Sequence, residues 1–192
     1  MALPSLAELH AAFRGLGLVV RGDRRALAFY DLSVEGFWRS FWPPLLIAIP
    51  YLLLLDAMAV ALSTGAEEPV GISLLPQAVL QLSSWLGYLL VMVLYCRAFA
   101  LTAGYAAFVV LYNWGQAIFM AATVLVLAAS HWGLLPPGAP VGWSGMLLVL
   151  WIYVVVQMAR LALGARTGVA IVAALLDVAM TVLLHRLVDL IL

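Results

Sequence analysis

The chain has 192 residues, of which 67% are hydrophobic and 9% charged, and its formal net charge at neutral pH is zero. Because soluble domains carry about 25% charged residues, this composition excludes a soluble globular protein and indicates a polytopic membrane protein surrounded by the lipid bilayer. Zero net charge gives no reason to expect a nucleic-acid partner. Cys96 is the only cysteine, which excludes an intrachain disulfide and a thiolate metal site.

The first element along the chain is residues 1–40, which contain no apolar stretch long enough to cross a bilayer. Apolar side chains recur there at helical spacing in two groups separated by the sequence RGDRR, namely Leu6, Leu9, Phe13 and Leu16, and then Ala26, Leu27, Tyr30, Val34, Phe37 and Trp38. This pattern predicts two short amphipathic helices on the cytoplasmic side. They can lie on the leaflet or cover the end of a helix bundle, and the sequence leaves both uses open.

Residues 41–192 form the second part of the chain. Five apolar stretches, each long enough to cross a bilayer, occupy residues 41–62, 75–96, 105–127, 143–163 and 168–190. The connectors between them carry glycine, proline or charge. The sequence therefore predicts an all-α fold, a bundle of five transmembrane helices preceded by the two short helices. Ala170, Ala173 and Ala174, with Gly168, indicate close helix packing on the last span.

The distribution of arginine predicts the orientation of the bundle. All nine basic residues are arginine, and placing the N-terminus in the cytoplasm leaves only Arg186 near the far side. With five spans, the C-terminus then lies outside. The use of arginine without lysine is typical of a GC-rich bacterial genome, so we expect the bacterial inner membrane.

Polar residues inside the predicted spans are the candidate functional residues. Asp56 interrupts the apolar run YLLLLDAMAV, and helical rise puts Gln81 at about its level, with His185 and Arg186 slightly beyond them. Asp56 is therefore expected to bind Gln81.

A second group of polar residues lies nearer the midplane. It consists of Asn113, Gln116, Gln157 and Asp177, which are expected to face one another. The eight residues form either a polar seam for a proton or a ligand, or interhelical hydrogen bonds of about 0.6 kcal/mol each.

Two short segments resemble a known family. YDLSVEGFW precedes the first span and contains Asp31, Leu32, Gly36, Phe37 and Trp38, where Asp31 or Ser33 is suited to cap a short helix. AGYAAF opens the third span and contains Gly104 and Tyr105. These segments and the five-span order resemble the Yip (Ypt/Rab-interacting protein) family. The resemblance implies a protein of membrane organisation or trafficking with a protein partner or a second copy of itself; eukaryotic members associate with small GTPases, a partner not carried over to a bacterial chain.

Sequence motifs for enzymatic chemistry are absent from the chain. It contains no GxGxxG, no GxxxxGK[ST], no HExxH and no GxSxG pattern, and its three histidines lie in separate regions. We therefore predict no catalytic, cofactor-binding or metal-binding residues. The expected function is that of a non-enzymatic interaction or scaffold protein. The alternative is a small-molecule or proton transporter or channel, or an accessory subunit of a larger membrane complex.

Overall fold

The computed structural model describes residues 3–62, 74–136 and 139–191. Two short helices, α1 (Leu6–Val20) and α2 (Val34–Arg39), precede five long ones. The long helices are α3 (Trp42–Leu62), α4 (Leu74–Ala98), α5 (Tyr105–His131), α6 (Ala139–Ala162) and α7 (Thr167–Ile191). No strand occurs among the described residues. The predicted all-α class is confirmed, and five helices of the described chain are long and apolar enough to cross a membrane.

The chain before α3 forms a cap, residues 5–40, on one end of the bundle. Ser5 caps α1 through a capping box with Glu8, which satisfies free backbone N–H groups at the helix start. The second predicted amphipathic helix is instead two pieces, the 3-10 helix Arg24–Phe29 and α2, separated at Asp31. The interruption has a local cause: Ser33 caps α2 by accepting a hydrogen bond from the Gly36 N–H at 3.1 Å.

Helix α1 packs one face against the bundle and leaves another apolar face open. Ala12, Gly15, Leu16 and Val19 are buried toward the neighbouring elements. Leu6 and Phe13, by contrast, are 84% and 52% exposed. A hydroxyl from α6 reaches this helix, because Tyr153 donates to the Val20 carbonyl oxygen at 2.8 Å. Both uses foreseen for the amphipathic helix are thus compatible, with cover on one side and an apolar surface on the other.

The five long helices form a ring in the order α3, α5, α6, α7 and α4, with α3 next to α4 as its weakest contact. The densest packing lies at the cap end. Ala170, Ala173 and Ala174 are fully buried there, as their size predicts, whereas Gly168 is exposed. Close approach lets tyrosines of α4 bond to backbone of α7, since Tyr88 donates to the Ala173 carbonyl at 3.1 Å.

Candidate functional site

Asp177 of α7 is the centre of a buried polar cluster that joins three helices. Its side chain is 7% exposed. One carboxylate oxygen accepts a 2.7 Å hydrogen bond from the Tyr112 hydroxyl of α5. The other accepts a 2.7 Å hydrogen bond from the indole N–H of Trp151 on α6. Both donors are neutral, and no arginine or histidine of the described residues forms an ion pair with this carboxyl group.

A central cavity of about 420 Å³ lies beside this cluster and touches all five long helices. Aromatic and aliphatic side chains form most of its wall. Its amide and aliphatic hydroxyl groups come from Gln81, Ser84, Gln116, Thr123, Ser144 and Thr181. The sequence grouped Gln81 with Asp56 and Gln116 with Asp177; the structure instead brings Gln81, Gln116 and Asp177 to one space.

Beyond Asp177, polar side chains continue along the same face of α7. Thr181 donates its hydroxyl to the Asp177 carbonyl at 3.1 Å, and His185 Nδ1 lies 2.8 Å from the Thr181 carbonyl. His185 and Arg186 are exposed, and neither forms an ion pair among the described residues. They therefore do not join Asp56, contrary to the expectation from their depth.

Asn113 of α5 is fully buried and binds residues that the sequence did not associate with it. Its side-chain oxygen accepts from the Trp85 indole N–H at 3.0 Å, and its amide nitrogen donates to the Ser40 hydroxyl at 2.9 Å. Asn113 thus connects the end of the cap to α4. Only Trp85 of this group lines the central cavity, so Asn113 does not face Asp177 as predicted.

Gln157 of α6 lies at the cap end, away from the cavity. Its amide nitrogen donates to the Tyr153 hydroxyl at 2.9 Å, and its oxygen accepts from Arg160 at 3.2 Å. These partners lie three and four residues away on the same helix, where side chains are neighbours. The predicted contact of Gln157 with the midplane residues is therefore not formed.

Asp56 is not paired with Gln81. Among the described residues it forms no hydrogen bond and no ion pair, and it does not line the central cavity. The expected pairing assumed that α3 packs first against α4, whereas α3 packs mainly against α5. Asp56 is itself part-buried, and it shares a helix face with Leu53 and Val60, which are 56% and 36% exposed, so this face of α3 is turned to the outer side of the ring.

The segment before α3 is held by its own polar side chains. Asp31 accepts a 3.0 Å hydrogen bond from the Ser33 N–H and forms a 2.6 Å ion pair with Arg39. Hydrogen bonds from the side chain and the backbone of Ser33 lower the pKa of Asp31 below its usual value, and the charge of Arg39 lowers it further. Arg39 also lies 3.0 Å from Glu8 of α1. A side chain at Gly36 would overlap Asp31, so this glycine permits the tight turn.

Aromatic rings fix the same segment to the bundle. Phe37 packs edge-on against Trp38 and Phe41, with centroids 5.2 Å and 5.5 Å away. Phe41 in turn contacts Trp85 of α4 at 5.7 Å. Leu32 and Trp38 remain 41% and 50% exposed. Most of the predicted interaction segment therefore serves internal structure, and these two side chains are its outward apolar part.

Gly104 and Tyr105 also have internal contacts. A Cβ atom at Gly104 would overlap the Ala162 carbonyl oxygen and lie 2.8 Å from the Leu163 Cα, so glycine allows the connection before α5 to touch the end of α6. Tyr105 donates its hydroxyl to the Leu89 carbonyl at 2.8 Å. Both residues fix the cap end of the bundle.

No family model, curated protein or solved structure matches this chain. Within residues 3–62, 74–136 and 139–191, no group of three or more histidine, cysteine, aspartate or glutamate side chains is placed to hold a metal ion. Among the described side chains, two carboxylates lie in the long apolar helices, and function is argued from these. Asp177 lies inside the ring, and Asp56 lies on a helix face turned to its outer side.

Proposed function

We propose that this chain is a non-enzymatic integral membrane protein that binds a transmembrane segment of another protein, and so acts as an interaction or scaffold protein in membrane organisation. One observation carries the proposal. The carboxylate of Asp56 lies on the outer face of α3, in an apolar helix, and forms no polar contact with the described part of its own chain.

The energetic argument concerns the cost of placing the Asp56 carboxylate on an apolar helix face turned to the outer side of the ring. Leu53 precedes Asp56 by three residues and Val60 follows it by four, and both are exposed. A carboxylate at the centre of a membrane helix costs about 2.5–3.5 kcal/mol on insertion scales, and Asp56, beyond the middle of α3, carries part of this cost. Intramembrane acids commonly pair with a partner. The described part of the chain supplies no such partner, and we propose that a second protein does.

Charge complementarity selects the kind of partner. A transmembrane helix that carries an arginine, a lysine or another hydrogen-bond donor would satisfy Asp56, because low-dielectric surroundings strengthen such contacts. A second copy whose two-fold axis passed near Asp56 would bring the two carboxylates together, and like charges repel. The proposed partner is therefore a different membrane protein.

Other features support the same function. Sequence motifs for turnover are absent, and the likeness of YDLSVEGFW and AGYAAF to the Yip family favours membrane organisation. The exclusive use of arginine favours a bacterial inner membrane with the N-terminus in the cytoplasm. Under this assignment the small GTPase partners of eukaryotic members are not carried over.

Site-specific photo-crosslinking in the native membrane tests the proposal. A benzoylphenylalanine probe replaces Leu53, one turn from Asp56, in the wild type and in Asp56→Asn and Asp56→Leu. We expect one adduct of defined mass that falls about fivefold or more in both variants, since about 1 kcal/mol corresponds to that ratio. The matched control is the same probe at Val172, which is 46% exposed on α7.

Three crosslinking results would contradict the proposal or change the proposed partner. An adduct at position 53 that is unchanged by Asp56→Asn, or an equal adduct at position 172, would contradict the proposal. An adduct made of two copies of this chain would replace the different partner with a homo-oligomer. Thermal unfolding of purified Asp56→Asn is expected to match the wild type, because the Asp56 side chain makes no polar contact with the described part of the chain.

A second candidate function is passage of a small molecule or a proton through the bundle. The central cavity beside Asp177 favours it, because intramembrane acids often mark such paths. In proteoliposomes, a pH-dependent flux lost in Asp177→Asn would support this function. If the wild type shows no flux, the transport function is contradicted and only the interaction function stands.

A further inference from the structure

We propose that the central cavity is a binding site for a small organic cation with an apolar body, recognised by the Asp177 carboxylate and by the aromatic rings around it. This inference goes beyond the proposed function, since it concerns the inside of the ring and not the outer face of α3. It rests on the size of the cavity, the charge at its floor, the rings of its wall and its free amides.

The cavity has the size and wall chemistry of a ligand site. Its volume is about 420 Å³, and small-molecule pockets measure about 300–1,000 Å³ with mostly apolar walls and few polar groups. Leu147, Leu148 and Val178 contribute aliphatic surface, whereas Asp177 is the only carboxylate along its described wall. A ligand that fits is therefore largely apolar with one polar centre.

The carboxyl group of Asp177 at the floor favours a cation as the ligand. Asp177 accepts from Tyr112 and Trp151, which orient the carboxylate without neutralising it. A carboxylate has about four acceptor sites, so two remain for a further donor. No arginine or histidine forms an ion pair with Asp177 in the described part of the chain. A bound cation would supply the missing opposite charge.

Aromatic rings around this carboxylate suit an organic cation. Trp151 contacts Tyr112 and Phe119 with ring centroids 5.3 Å and 5.0 Å apart and interplanar angles of 60° and 61°. Trp151 and Phe119 are part-buried and line the cavity, so their rings are available to a ligand, whereas Tyr112 is 2% exposed and contributes its hydroxyl to Asp177. Ammonium groups bind to aromatic faces, with about 2 kcal/mol or more where water is excluded.

The remaining polar groups argue against a bare metal ion and for a ligand with a hydrogen-bonding group. Calcium takes 6–8 oxygen ligands, whereas Asp177 stands without a second carboxylate in the described wall. Gln81 and Gln116 line the same cavity, and their side-chain amides form no hydrogen bond with another described residue. These amides are available to a hydroxyl or carbonyl group of the ligand.

Competition binding on the purified full chain in lipid nanodiscs tests the site. The probe is radiolabelled benzyltrimethylammonium, and the competitors are the unlabelled cation and its neutral isostere neopentylbenzene. We expect saturable binding of about one probe per chain, with the neutral isostere weaker by about tenfold or more, since it lacks the charge. Asp177→Asn is expected to weaken binding by about tenfold or more. The control Glu35→Gln, an exposed carboxylate of the cap, should leave the binding constant within about twofold.

Several outcomes would overturn the site. Probe binding that does not saturate in the wild type, equal competition by the neutral isostere, or unchanged affinity in a folded Asp177→Asn each contradicts it. The comparison of the two competitors uses only the wild type, so it decides the question even if the variant is not recovered. None of these results depends on Asp56, and the crosslinking experiment does not depend on Asp177.

Discussion

The side-chain amide of Asn113 donates a 2.9 Å hydrogen bond to the hydroxyl of Ser40, and so ties the last residue of the cap to the interior of α5. Both side chains are fully buried. The Asn113 oxygen is also occupied, by the indole N–H of Trp85. One amide therefore connects the cap, α4 and α5.

Asn113→Leu is expected to lower the free energy of unfolding by about 1–3 kcal/mol, because it leaves the Trp85 N–H without an acceptor in a buried place. Thermal unfolding in detergent measures the effect. The control is Ser130→Ala, also on α5, since the Ser130 hydroxyl has no hydrogen-bond partner among the described residues and its loss should change little. Equal shifts in the two variants would contradict the role given to Asn113.

The cluster of Asp177, Tyr112 and Trp151 predicts a measurable coupling between α5 and α7. Tyr112→Phe removes one hydrogen bond to Asp177 and is expected to cost about 0.6–1.7 kcal/mol, the range found for interhelical bonds in membranes. In the Asp177→Leu background the same change should cost almost nothing, because the acceptor is gone. A double-mutant cycle on unfolding gives the coupling, and additive effects would show that the contact contributes none.

Gly104→Ala should destabilise the cap end of the bundle. The new Cβ atom would meet the backbone of Ala162 and Leu163, which cannot move aside as a flexible side chain can. We expect a loss of about 1–3 kcal/mol in the free energy of unfolding. Gly145→Ala is the opposite control: nothing lies within 4 Å of its Cβ position in α6, so alanine should stabilise the helix by about 0.5–1 kcal/mol. The signs of the two shifts in melting temperature decide the prediction.

Asp31 makes the stability of the cap depend on pH. Hydrogen bonds from Ser33 and the charge of Arg39 lower its pKa in the folded state. A lowered pKa means that the ionised carboxylate stabilises the fold above the unfolded value of about 3.9, and that this contribution is lost as pH falls through the lower folded value. The difference in melting temperature between the wild type and Asp31→Asn should therefore shrink from about pH 7 to about pH 3. A difference that stays constant over this range would contradict the assignment.

The fold class was predictable because the length of an apolar stretch alone identifies a membrane helix. The five long apolar helices coincide with the five apolar stretches of the sequence. The pairing of polar residues was not predictable in the same way. Helical rise gives the depth of Asp56 and Gln81 but not which helices are neighbours, and α3 packs mainly on α5. The similar depths of Asp56 and Gln81 therefore suggested a contact that does not form, because α3 packs only weakly against α4.

The cavity site was only partly accessible from the sequence. Asp177 and Gln116 were candidates, but Tyr112 and Trp151 were not. A signal was present, because tyrosine and tryptophan each carry a donor that needs a partner when buried. Ser40 was missed for another reason, since it stands in a connector, where hydroxyl groups are usually solvated. Gln157 shows the reverse case, because its partners at three and four residues could have been read from helical spacing.

The bond between Ser40 and Asn113 also sets where the first span begins. Asn113 lies about two turns, roughly 12 Å, into α5, so α3 starts that far beyond the cap end of its neighbour. Helix α3 has 21 residues and α5 has 27. At the cap end, α1 and α2 fill the space between the start of α3 and the end of the bundle. On this side the adjacent leaflet would meet a folded cap with outward leucine and phenylalanine side chains. The local thickness of the bilayer there would be set by how deeply α1 is seated, and not by the length of a span.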